Sequence, residues 1–144
     1  SAACDWDHER FNDVIKTPSN AVVGITDAGD VFGGFASVGL TQTDTWFRDD
    51  RQFAFSFFSH GRCDVPQRWG MRRDGQGTNI REWQSTDNEF ILFGYDYGQC
   101  FRFFKGKART NNTSSWFDGL ANTTLTGANE SDCNLIRLLV VRLE

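Results

Sequence analysis

Aromatic rings and small side chains alternate in the stretch Phe53-Ala54-Phe55-Ser56-Phe57. Side chains two positions apart lie on the same face of a β-strand, whereas a helix would spread them around its circumference. The alternation therefore predicts a strand that carries three rings on one face. It is the strongest strand signal in the chain.

A hairpin is predicted just before this strand. Residues 22–25 are mostly β-branched and predict a buried strand, and residues 31–35 predict the strand that returns beside it. Between them, residues 27–30 read Asp-Ala-Gly-Asp, which is typical of a turn because Asp bonds nearby backbone and Gly accepts a positive φ. The adjacent Gly33 and Gly34 indicate a bulge or a close approach by another backbone.

A short amphipathic helix is predicted over residues 5–16, since its apolar side chains at positions 11, 14 and 15 share one face. Asp5 or Asp7 is placed to cap its start. Thr17 and Pro18 end it, because the residue before a proline is disfavoured in the helical region.

The second half of the chain predicts further strands. Residues 89–94 and 100–104 form a second aromatic hairpin, and residues 105–115 are polar and loop-like. Residues 134–144 predict a long strand that is apolar on both faces. Such a strand belongs at the centre of a sheet.

The composition agrees with a β fold. The 144 residues include 14 Phe, 5 Trp and 14 Gly but only 2 Pro, which favours aromatic strands set among frequent turns. This length fits one domain over residues 1–144, which we expect to be part of a longer chain. We predict a two-sheet antiparallel β-sandwich with one or two short flanking helices, and no membrane span.

The net charge of −4 is unevenly distributed, because residues 51–110 hold 10 basic and 6 acidic side chains. Candidate contacts for phosphates or an acidic partner are Arg62, Arg68, Arg72, Arg73 and Arg81. The alternative is a solvated loop that simply carries charge.

The four cysteines do not form a metal-binding pattern, because they are widely spaced and the chain has only two histidines. Their even number leaves disulfides open, although a domain of this size does not need them. Cys63 is the candidate redox thiol, since Arg62 and His60 lie close by in sequence and would favour its thiolate. The alternative is a thiol without function.

The compartment predicted from these thiols is the cytoplasm or the nucleus. Four acceptor triplets for N-glycosylation begin at Asn111, Asn112, Asn122 and Asn129. They leave a secreted protein as the alternative, since such triplets are frequent by chance in loops rich in Asn and Thr.

Several of these segments, in this order, resemble a TLDc domain, the module of eukaryotic oxidation-resistance proteins, and divergent members in unicellular parasites are similar. The matching pieces are Asp5-Trp6-Asp7 with Phe11, Val31-Phe32-Gly33-Gly34-Phe35, Trp46, Phe53-Ala54-Phe55-Ser56-Phe57, Phe93-Gly94-Tyr95 and Val141-Arg142-Leu143-Glu144. The resemblance spans nearly the whole chain, but the basic region 61–88 matches no part of the family pattern.

The resemblance implies an interaction module that takes part in resistance to oxidative stress. Several family members engage peripheral subunits of the vacuolar proton-pumping ATPase (V-ATPase), so such subunits are the implied partners. The implied residue roles are structural: Gly33 and Gly34 shape the backbone, Trp46 and Phe55 fill the core, and Glu144 ends the last strand. The family supplies no catalytic residue and no cofactor.

Other classes of function remain open from the residues themselves. One is a stress-responsive transcriptional regulator that contacts DNA through the basic segment. Another is a thiol-based antioxidant or sensor acting through Cys63, and a third is a secreted sugar-binding sandwich. The motifs of common hydrolases and nucleotide-binding enzymes are absent from the sequence, so we expect a non-enzymatic domain that is monomeric when isolated.

Overall fold

The structure is a computed structural model that describes residues 2–3, 5–59, 65–72, 79–82, 88–94, 100–111, 113–115, 117–121, 125 and 132–143. The first elements in chain order are β1 (Ala2–Ala3), α1 (His8–Ile15), β2 (Asn20–Thr26), β3 (Val31–Ala36), β4 (Phe47–Arg48) and β5 (Phe53–Phe58). The later ones are β6 (Gln67–Gly70), β7 (Asn79–Glu82), β8 (Glu89–Gly94), β9 (Cys100–Phe104), β10 (Lys107–Asn111), a 3₁₀ helix (Thr113–Ser115) and β11 (Asp132–Arg142).

Antiparallel hydrogen bonding joins the eleven strands of the described residues into one network. The order is β4-β7-β8-β9-β10-β11-β2-β3-β5-β6, and β1 pairs with β11 beside this path. The prediction of a mainly β fold is therefore confirmed, as is the central position of the last strand. The finer description as two separate sheets is not confirmed, because β11 bonds to β10 at its start and to β2 along the rest of its length.

The main core lies between β2 and β3 on one side and β8 and β9 on the other. Phe32 on β3 contacts Phe103 on β9, with ring centroids 5.7 Å apart. Phe93 and Phe101 stack in the same layer with centroids 5.0 Å apart. These rings are fully or almost fully buried and form the centre of the main core.

The short helix α1 covers one margin of this core. Asp7 caps its start by accepting a hydrogen bond from the Arg10 backbone N–H at 3.1 Å. Phe11 and Ile15 are fully buried, and the Phe11 ring meets Phe90 edge-on at 5.3 Å. The predicted helix and one of its two predicted caps are thus confirmed.

Among the described residues, no helix is long and apolar enough to cross a bilayer.

One predicted loop is wrong. Residues 105–115 were expected to be a polar loop, but β10 occupies Lys107–Asn111 and pairs with both β9 and β11. Gly106, at φ +72°, makes the tight turn before it. Ala108 and Thr110 are buried while Lys107 and Arg109 are partly exposed, so a polar-looking segment still alternates like a strand. Arg73-Asp74-Gly75-Gln76-Gly77 is typical of an exposed tip and Tyr95-Asp96-Tyr97-Gly98 of a turn, and both segments lie outside the described residues.

Candidate interaction surface

The sheet has a second apolar face, which points away from the main core. On it Ala21, Val23 and Phe55 form a separate buried cluster. The partly buried side chains packed against this cluster are Val31, Phe53, Leu139 and Val141. We call this side of β11, β2, β3, β5 and β6 the outer face. The outer face is apolar although the side chains on the opposite side of the same strands already fill the main core.

The strand register places these side chains in rows across the sheet. In one row Leu139 pairs with Val23, and Val23 pairs with Gly33. The same row continues from Gly33 to Phe55 and ends at Arg68 on β6. A row of apolar residues therefore has a cation at its end.

The adjacent Gly33 and Gly34 leave room for aromatic rings on opposite faces of β3. A Cβ on Gly33 would lie 1.8 Å from the Val22 carbonyl oxygen and 2.8 Å from Cζ of Phe55, so the Phe55 ring occupies the space above Gly33 on the outer face. A Cβ on Gly34 would lie 2.8 Å from the Phe93 and Phe101 rings, on the core face. The Gly-Gly pair thus admits aromatic rings from both sides.

The outer face contains a groove with a volume of about 530 Å³. Ala21, Val23 and the buried Phe55 lie along its floor. Leu143 lines one end of it and Phe57 the other, and these side chains are 43% and 52% exposed. Val141 pairs with Ala21, whereas Phe55 belongs to the neighbouring row that contains Val23. The groove that these residues line therefore crosses the sheet diagonally.

Cations border the groove on the side of β6. The Arg68 guanidinium lies over the Phe53 ring, with 4.6 Å between its carbon and the ring centroid. Arg51 and Arg68 also line a neighbouring hollow that Phe53 shares, together with Asp50, which pairs with Arg48 at 3.0 Å. Within the described part of the chain neither Arg51 nor Arg68 forms a salt bridge. This border is therefore positively charged in a protein whose net charge is negative.

The predicted basic segment is described only in part. Arg68 borders the groove, and Arg72 donates from Nη1 to the Ser114 carbonyl oxygen at 3.2 Å. Arg81 lies on β7, which pairs with β4 and β8. Arg62 and Arg73 lie outside the described residues. Of this segment, the structure thus links Arg68 to the outer face.

The predicted redox thiol, Cys63, lies outside the described residues. Cys133 on β11 is a free cysteine, and burial raises the pKa of its thiol to about 12. Its side chain is thus protonated at neutral pH and a poor nucleophile. No cluster of three or more potential metal ligands occurs among the residues that the structure describes.

The residues of the family-like motif have distinct positions. Phe35 stacks on Phe53 on the outer face, with centroids 4.8 Å apart. Trp46 is half-buried, and Gly94 ends β8 at φ +117°. Phe55 is buried, but in the outer-face cluster rather than in the main core. Glu144 lies outside the described residues.

The sequence carries a signal for the outer face, which the strand predictions used only to place the last strand centrally. Two strands carry apolar side chains on the outer face although the residues next to these in sequence face the core. The outer-facing side chains are Val141 and Leu143 on the last segment and the rings at 53, 55 and 57. Strands that are apolar on both faces indicate a second covered surface. In this chain that second surface is partly open.

The chain matches no protein-family model and no curated protein.

Proposed function

We propose that this domain is a non-enzymatic protein-interaction module and that the groove on the outer face is where its partner docks. The observation that carries the proposal is the exposure of Phe57 and Leu143 at the two ends of an apolar strip that is buried at Val23 and Phe55. Large apolar side chains that stay exposed together, with a polar border, are typical of interaction sites.

The biological setting of the proposal follows from the resemblance to TLDc domains. We propose that the module protects cells against oxidative stress and that its partners include peripheral subunits of the V-ATPase. The high pKa of Cys133 supports a protective role through binding rather than through that thiol.

The test is survival under peroxide of cells that lack their own copy of the protein. Wild-type protein, Phe57→Asp, Ile136→Asp and a variant with all four cysteines changed to serine are each returned to these cells. Ile136 on β11 is the matched control, since it is 58% exposed and apolar but does not line the groove.

We expect Ile136→Asp and the cysteine-free variant to restore survival when each is expressed at the wild-type level. Phe57→Asp should fail to restore it although it folds, because a charge in the groove blocks docking without disturbing the core. Protection by Phe57→Asp equal to that of the wild type would rule out the groove. Loss of protection in a folded cysteine-free variant would instead favour thiol chemistry.

A further inference from the structure

We infer that the groove takes one amphipathic α-helix of a partner protein, seated across the sheet with an acidic side chain opposite Arg68. This inference rests on the proposed function and specifies the class of partner. The inference follows from the shape of the groove, from the pairing of its strands on both sides and from the positive charge along its border.

The shape of the groove suits an elongated apolar occupant. From β11 to β5 it crosses three inter-strand spacings, about 14 Å, and its diagonal path is longer. Its floor is sunken at Ala21 and Val23, while Phe57 and Leu143 stand exposed at its ends. Several turns of helix, about 1.5 Å per residue, would cover such a strip.

The backbone of the sheet favours a helix over an extended peptide. β2, β3 and β5 are each paired on both sides, so the floor of the groove offers side chains rather than open hydrogen-bonding edges. An extended peptide laid on this floor would leave its own N–H and C=O groups without partners over apolar side chains. A helix satisfies those groups internally and presents apolar side chains at i, i+3, i+4 and i+7.

The border of the groove favours an acidic helix. Arg68 is held over Phe53 and, like Arg51, forms no salt bridge within the described chain. A carboxylate on the flank of the docked helix would meet Arg68, with Arg51 in the neighbouring hollow, whereas a lysine there would be repelled. Helix α1 of a second copy of this chain cannot be the docked helix, because Phe11 and Ile15 on α1 are fully buried in the core.

The test uses a displayed library of 18-residue helices. Leucines are fixed at i, i+3, i+4 and i+7, and the flanking positions vary among Glu, Gln and Lys. The targets are the wild-type domain, Arg68→Glu, Arg68→Gln, Phe57→Asp and Lys105→Glu. The last is the charge control, because Lys105 is exposed in the turn between β9 and β10. Binding of selected peptides is then measured by fluorescence anisotropy.

We expect the wild type and Lys105→Glu to select Glu on the flank, Arg68→Glu to select Lys, and Phe57→Asp to select nothing. A selected peptide should bind the wild type about tenfold more tightly than its Glu→Lys version, and Arg68→Gln should remove most of that difference. Equal selection of Glu and Lys by the wild type would overturn the inference. So would recovery of no helical binder, or a dimer of the domain that buries the outer face.

The two proposals can fail separately. If Phe57→Asp abolishes peroxide protection while the library shows no helix or no charge preference, the groove is a docking site of another kind and only this inference falls. If Phe57→Asp protects cells as well as the wild type does, the proposed function falls, whatever the library selects.

Discussion

The guanidinium carbon of Arg68 lies 4.6 Å from the centroid of the Phe53 ring, on the outer face of the sheet. Phe53 is in turn stacked on Phe35 with centroids 4.8 Å apart, so the cation is the last member of a short stack. A cation over an aromatic ring at an exposed site is worth about 0.5–1 kcal/mol. The stack therefore orients a positive charge beside an apolar groove without neutralising it.

Gly34→Ala should destabilise the fold. Its Cβ would lie 2.8 Å from the buried, stacked Phe93 and Phe101 rings, so these rings would have to shift. We expect a loss of about 1–3 kcal/mol in the free energy of unfolding, as for other overpacked cores, measured by urea denaturation. Gly70→Ala is the control, since nothing lies within 4 Å of its Cβ position. Equal stability of the two variants would show that β3 does not lie this close to β8 and β9.

Phe55 and Phe57 should differ in their effect on stability although they lie on the same face of β5. Phe55 is 6% exposed and covers Gly33, so Phe55→Ala should cost about 3 kcal/mol. Phe57 is 52% exposed, and Phe57→Ala should cost less than about 1 kcal/mol. Thermal and urea unfolding measure both values. A similar loss in both variants would mean that Phe57 is a core residue and not a docking residue.

Cys133 should resist alkylation in the folded protein. With burial raising the pKa of its thiol to about 12, almost none of this thiol is ionised at pH 7. A variant that keeps Cys133 and has serine at positions 4, 63 and 100 isolates its reaction with iodoacetamide. We expect labelling to be far slower than in urea, and a rate in the folded state equal to that in urea would contradict this burial.

The same shift in pKa affects stability at alkaline pH. The folded value lies above the ordinary value of 9.0, so the contribution of Cys133 is complete below pH 9 and is lost as the pH rises toward 12. Cys133→Ser should therefore flatten the decline in stability over this range. An unchanged alkaline profile in Cys133→Ser would assign the decline to other groups.

Asp132 should contribute to stability at neutral pH but not in acid. Arg109 Nε donates to Asp132 Oδ1 at 2.8 Å, and this hydrogen bond holds the pKa of Asp132 below its ordinary value. The contribution is thus present above about pH 4 and disappears as the pH falls through the lowered value. Because both side chains are a third or more exposed, Asp132→Asn should cost at most about 1 kcal/mol at pH 7. A difference from wild type that persists at pH 2 would contradict this origin.

Much of the fold could be predicted because local patterns and tertiary packing agree. The rings at 53, 55 and 57, the turn at residues 27–30 and the cap at Asp7 each specify their local structure. The last segment is apolar on both faces and does lie centrally. The loop predicted at residues 105–115 is wrong because small and polar side chains on β10 give no strong strand signal and depend on their neighbours for burial.

The site was harder to predict because exposure is a property of the assembled sheet. An apolar strand face looks the same in sequence whether another layer covers it or not, so Phe57 and Leu143 could not be distinguished from core residues. Asp49 illustrates the reverse case, since a carboxylate in a polar loop is usually exposed to solvent. It is 2% exposed and accepts the Ser37 backbone N–H at 2.7 Å, a partner twelve residues away.

The most direct test of the outer face as a docking surface is capture of partners from the lysate of the protein's own cells. Wild-type domain, Phe57→Asp and Ile136→Asp are used as bait, with and without peroxide treatment, and the bound proteins are identified and quantified. We expect at least one protein to be recovered with the wild type and Ile136→Asp and lost with Phe57→Asp, with V-ATPase peripheral subunits as the expected class. Recovery of the same proteins in the same amounts by all three baits would contradict docking in the groove.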